Sequence, residues 1–146
     1  MGALCAATLL GCSDTKEEES AAAESVRGVS DTEIKLGGMH DLSGVFAAFS
    51  SPAVQVANDM FAEVNADGGI HGRKIRYIVE DHAYQVPKAT QAVNKLVTRD
   101  EVFAMLMSLG TPHNLAAFPV MDSNNVPSIL PLALSRPMET EGDFSR

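Results

Sequence analysis

Five residues past the middle of the chain, Ser108-Leu109-Gly110-Thr111-Pro112, carry the groups best suited to hold a small anion. Gly110 permits a tight strand-to-helix turn, Thr111 brings a hydroxyl that can cap a helix, and Pro112 suits a first helical turn. The start of a helix offers unpaired N–H groups at the positive end of its dipole. With the Thr111 hydroxyl they form a pocket for a carboxylate, although a helix cap without a ligand uses the same residue types.

A second group lies upstream. Asp41-Leu42-Ser43-Gly44 is a turn-rich loop with carboxylate and hydroxyl groups, and Phe46 and Phe49 follow it, able to line a pocket or to pack beneath the loop. His40, His82 and His113 fall near Asp41 and Asp81, so a shared metal site is an alternative; no HxH or HExxH spacing supports it. His71, in a glycine-rich turn, reads as structural. No GxGxxG, GxxxxGK[ST], Gly-x-Ser-x-Gly or catalytic cysteine pattern occurs, so the residues make no positive case for an enzyme and imply no cofactor.

The elements that must position these groups alternate in type. Ile34–His40 reads as a strand containing Gly37 and Gly38. Pro52–Ala66 reads as a helix with Ser50 or Ser51 as its cap, and Lys74–Glu80 as a strand. Pro87–Arg99 is a second helix, Val102–Leu109 a strand apolar enough to be buried on both faces, Thr111 onward a third helix, and Val126–Ala133 a fourth strand. This order predicts an α/β fold, a parallel sheet flanked by helices. Ligands of such sheets collect beyond the carboxyl ends of the strands, which places the site at loops 41–51, 81–86, 109–111 and 132–136.

Composition narrows the partners. The net charge of −8 comes half from residues 13–25, which hold five acids and one lysine, and no basic stripe exists to follow a phosphate backbone; nucleic acid is not expected as a partner. Both cysteines, Cys5 and Cys12, precede that segment, which excludes a disulfide or a cysteine-held metal from the body. Residues 3–11 are small and apolar, too short to span a bilayer but suited to a signal peptide. Leu9-Leu10-Gly11-Cys12 resembles a lipobox, which makes Cys12 the expected lipidation site and residues 1–12 a leader. Residues 13–30 then form a flexible acidic tether, 31–140 the folded lobe, and 141–146 the start of a continuation in a truncated chain.

Several segments together resemble the type I periplasmic binding proteins of the leucine/isoleucine/valine-binding group. They are IKLGGMHDLSG, NADGGIHGRKIRYIVEDH, PKATQAVNKLVTRDEVFAMLMSLGTPHNLAA and NNVPSILPLALS, in order over roughly residues 30–140. The resemblance implies a Rossmann-like lobe, one of two that close on a ligand and deliver it to the permease subunits of an ABC importer. The ligand would be a branched-chain amino acid or another small carboxylate or amide. It also implies roles for residues: Ser43 and Phe49 in the first loop, Thr111 holding the ligand carboxylate beside backbone groups of Leu109 and Gly110, and Ala133 and Ser135 lining the pocket. Three positions depart from the amino-acid binders: Leu132 and Leu134 make the last loop more apolar, and Phe49 stands where a tyrosine is common. The expected setting is periplasmic or at the cell surface, held to the membrane by the lipid. A sensory ligand-binding domain and a metal-dependent hydrolase are the alternatives.

Overall fold

The computed structural model describes residues 26–133 and Ser135. Four parallel strands, β1 (Glu33–His40), β2 (Lys74–Asp81), β3 (Ala104–Leu106) and β4 (Ser128–Ile129), alternate with three helices, α1 (Ala47–Ala66), α2 (Val86–Asn94) and α3 (Thr111–Ser123). The strand order is β2-β1-β3-β4. From β1 the chain first moves outward to β2, then returns past β1 to β3 and on to β4. Right-handed crossovers therefore put α1 on one face of the sheet and α2 with α3 on the other.

The central strand is thin on both faces. A side chain at Gly37 would collide with Met105 and Val102, and one at Gly38 with the Tyr77 ring lying across it. The two glycines that weaken the strand pattern are thus what lets the layers close on β1. On the α2/α3 face Met39, Val93, Leu96, Val97, Met105 and Met121 form a core from which water is almost wholly excluded. Helix α2 passes into a π-helical turn, Lys95–Arg99, where the Lys95 ammonium reaches Glu80 at 2.5 Å and Asp100 at 2.8 Å.

The observed bounds differ from those expected at three places. Helix α1 starts at Ala47 rather than Pro52, because the buried Asp41 carboxylate accepts the N–H groups of Gly44 and Phe46 and fixes the entry to the helix earlier. Strands β3 and β4 are shorter than the apolar runs Val102–Leu109 and Val126–Ala133. Met107 and Leu130, which follow the paired residues Leu106 and Ile129, both have positive φ (52° and 48°) and break the two strands at the same level. Pairing resumes at Leu109 and Leu132. Residues 26–30, expected as the end of a tether, are instead docked: Arg27 Nη1 donates to the Val97 carbonyl at 2.5 Å, and Val29 bridges Ile34. Cys12, residues 13–25 and residues 141–146 lie outside the described residues.

Candidate ligand-binding site

At the carboxyl ends of the strands a cleft of about 560 Å³ opens, lined by Phe46, Phe49, Tyr84, Leu109, Gly110, Thr111, Leu132 and Ala133. Five of the expected residues, Phe49, Leu109, Gly110, Thr111 and Ala133, thus meet around one space. Two do not line it. The Ser43 hydroxyl donates to Asp81 Oδ2 at 2.6 Å on the outer side of the first loop. Ser135 is half-buried, and its Oγ has no hydrogen-bond partner among the described residues.

Helix α3 points its N-terminus at this cleft. Its N-cap is Gly110, with φ 94°, and not Thr111, which is the first helical residue; among the described residues no side chain caps the helix. The expected capping by the Thr111 hydroxyl is therefore replaced by an uncapped start. Its first-turn N–H groups have no partner within the helix, and the Thr111 side chain belongs to the cleft wall. Only glycine serves at position 110: besides the positive φ, a Cβ there would strike the His113 ring.

The loop after β2 supplies a residue that sequence reasoning missed. Ala83 and Tyr84 both adopt positive φ, 48° and 54°, a conformation costing non-glycine residues roughly 1–2 kcal/mol each. This turn brings the Tyr84 ring into the cleft wall, 4.6 Å from the Phe46 ring centroid and 4.5 Å from that of His113. Tyr84 is the one phenol-bearing residue of loop 81–86, a loop that the strand-end rule had already marked.

His82 ties this wall to the helix start. Its Nδ1 accepts the Tyr84 N–H at 3.0 Å, so the ring proton sits on Nε2, which donates to the Leu109 carbonyl at 3.2 Å. One neutral imidazole therefore spans from the β2 loop to the Leu109–Thr111 turn. Burial lowers its pKa, as does the neighbouring His113, and these outweigh the raising effects of the Leu109 bond and of Asp41 and Asp81. His82 and His113 stack at 4.2 Å with an interplanar angle of 10°, and both His113 ring nitrogens are buried without a hydrogen-bond partner of good geometry among the described residues.

The histidines do not assemble as the metal alternative required. His40 is taken up elsewhere: Ser50 Oγ lies 2.9 Å from its Nδ1 and Tyr77 Oη 2.7 Å from its Nε2. Face-to-face stacking turns the in-plane lone pairs of His82 and His113 away from a common point, and among the described residues no cluster of His, Cys, Asp and Glu could hold a metal ion. The nearby acids are also committed. Asp41 is buried on the Gly44 and Phe46 amides. Asp81 is held below the ordinary carboxylate range: its slight burial raises the pKa, but hydrogen bonds from Ser43, Leu42 and Ala83 more than reverse that.

Comparison with known proteins places this geometry in context. Residues 33–145 match a family model described as periplasmic binding protein. An amino acid binding protein of Pseudomonas aeruginosa is 30% identical over 121 residues, which are 83% of this chain and 32% of that protein. A solved possible leucine/isoleucine/valine-binding protein from Rhodopirellula baltica superposes with a TM-score of 0.71 at 20% identity, over 81% of this chain and 31% of its own. A fatty acid ABC transporter substrate-binding protein from Thermomonospora curvata does so with a TM-score of 0.64 at 34% identity, over 69% and 26%. The chain thus spans between about a quarter and a third of the length of these relatives.

Proposed function

The chain belongs to the periplasmic binding protein family, and from that premise we propose that it forms the first ligand-binding lobe of an extracytoplasmic solute-binding lipoprotein serving an ABC importer. The observation that carries this reading is the cleft at the strand ends, built against the uncapped start of α3 by Leu109, Gly110 and Thr111. Unpaired amides, the helix dipole and a hydroxyl converge there on a site suited to a carboxylate. The relatives' ligands share that group, because both amino acids and fatty acids present a carboxylate.

The role needs no chemistry beyond binding. Thr111 and the α3 amides hold the acid, Phe49, Leu109 and Ala133 pack its body, and a second lobe closes over it. Cys12 anchors the protein outside the cytoplasmic membrane, close to the permease. Among the described residues no helix is long and apolar enough to cross a membrane. Ser43 acts indirectly in this reading, through its bond to Asp81 and so to the loop that bears Tyr84.

Isothermal titration of the intact protein with small carboxylates and amides tests the proposal. Thr111→Ala is expected to weaken carboxylate binding at least tenfold, about 1.4 kcal/mol. Unchanged affinity in that variant removes Thr111 from the site, and absence of binding by every acid sinks the carboxylate reading. Radiolabelling with palmitate, lost in Cys12→Ser, tests the anchor.

A further inference from the structure

Resting on that reading, we infer that His82 is a positioning residue of the ligand site and works as a proton-operated latch. Neutral, it holds the Tyr84 loop and the Leu109–Thr111 turn in the one arrangement that forms the cleft. On taking up a proton it lets the Tyr84 loop go, and the lobe loosens its hold on the ligand.

The walls of the cleft come from segments distant in the chain, Tyr84 after β2 and Leu109–Thr111 at the start of α3. His82 joins them with both ring nitrogens in use: Nδ1 accepts the Tyr84 N–H at 3.0 Å, and Nε2–H donates to the Leu109 carbonyl at 3.2 Å. The second bond survives protonation, since Nε2 already carries its hydrogen. The first does not, because a proton on Nδ1 would face the Tyr84 N–H, donor against donor. Charge therefore acts on one side of the latch alone.

The freed loop has reason to move. Ala83 and Tyr84 both sit at positive φ, and strain of this kind persists only where surrounding contacts impose it. Their amides are held one each, Ala83 by Asp81 Oδ1 at 2.8 Å and Tyr84 by His82 Nδ1. Asp81 is held below the ordinary carboxylate range, so it keeps its charge and its amides in mild acid. The His82 bond is the hold that mild acid can remove.

Among the described residues, the titratable groups facing this ring are Asp81 at the end of β2, Asp41 after β1, His40 in β1, Tyr84 in its own loop and His113 in α3, stacked 4.2 Å away. The two acids favour a charged His82, but burial and His113 outweigh them and hold it below 6.5. Opening the loop wets the ring and returns it towards that ordinary value. Closure is thus complete above pH 6.5 and is lost as pH falls through the lower value of the closed lobe. His113 itself faces Asp41 and the Tyr84 carbonyl, and it lies in the first turn of α3, where the helix dipole opposes a positive charge. A proton there leaves both His82 bonds in place, so opening must follow the His82 ring and not its neighbour.

Acid titration of the intact protein tests the latch. Ring-nitrogen NMR shifts give each histidine its own titration, including His40, which burial lowers to about 4. As the His82 ring charges, protection of the Tyr84 amide against hydrogen exchange is expected to fall at least tenfold. The affinity for leucine, read by calorimetry, should fall about tenfold with the same midpoint. His82→Asn keeps an acceptor close to the Nδ1 position and should keep Tyr84 protected. His82→Gln reaches Leu109 instead, and its Tyr84 amide should be as poorly protected in neutral solution as the parent's is in acid. Both variants should bind leucine about tenfold more weakly at neutral pH and lose the pH dependence. A Tyr84 amide that stays protected while the His82 ring charges overturns the inference, as does an affinity that holds or rises. Parent-like protection of Tyr84 in His82→Gln overturns it too. Failure of leucine and every other carboxylate to bind at neutral pH falls on the proposed function, and Tyr84 protection still decides whether the latch exists.

Discussion

The two faces of the sheet are built on different principles. On the α2/α3 face, apolar side chains interlock around Val93, Leu96 and Met105, all fully buried, and the buried polar groups His113 and Asn114 are kept to the start of α3. On the α1 face a buried polar chain does the joining. Tyr77 Oη donates to the Leu106 carbonyl at 2.9 Å and so accepts from His40 Nε2–H, which leaves His40 Nδ1 to accept from Ser50. That chain ties α1, β1, β2 and β3 in sequence, each donor meeting an acceptor. Around it an apolar groove of about 700 Å³ remains, lined by Val56, Met60, Leu106, Met107 and Leu130. Met60 is 60% exposed there and Leu130 71%. One face gains stability from non-directional packing; the other relies on a few hydrogen bonds whose partners have no substitutes.

Substitutions on the two faces should separate accordingly. The largest effect is expected for Leu96→Ala, a loss of about 2–5 kcal/mol in denaturant unfolding, because the closed face leaves a cavity. Acid titration probes the other face. Burial, with a smaller contribution from His82, lowers His40 from 6.5 to about 4. Between those values the unfolded chain takes up a proton that the folded lobe refuses. Stability from this group is therefore complete above pH 6.5 and is lost as pH falls towards 4, up to about 3 kcal/mol. Unfolding curves measured across that window should show the decline, and His40→Gln should make it shallower; a parent slope equal to the variant's would remove His40 as its source.

Tyr77→Phe comes next, at about 1–3 kcal/mol, since it strands the Leu106 carbonyl and the buried His40 donor. The smallest effect belongs to Met60→Ala, within about 0.5 kcal/mol. If Met60→Ala costs as much as Leu96→Ala, the contrast between the faces fails.

Much of the fold was legible before any coordinates. The runs Lys74–Glu80 and Pro87–Arg99 signal their elements through apolar periodicity, which depends on neighbours along the chain. The break in β3 and β4 was not legible. Val102–Leu109 is apolar throughout, and nothing local marks Met107 for positive φ; its counterpart Leu130 is distant in sequence and adjacent only in the sheet. Ser50 misled for a similar reason. It is a good helix cap in isolation, yet its hydroxyl is claimed by His40, a partner that only the packed α1 face supplies.

The site divides along the same line. Gly110, Thr111 and Pro112 announce a helix start because turn chemistry is local, and β-α alternation fixes the edge at which it must lie. What the tertiary structure alone decided is the company this turn keeps. It places Tyr84 on a strained loop and makes His82 the link between that loop and Leu109. It commits the acids Asp41 and Asp81 to amides of the loops around them. Residue type says what a group can bind. Which groups remain free to bind depends on hydrogen bonds between distant segments, and those form only when the chain closes on itself.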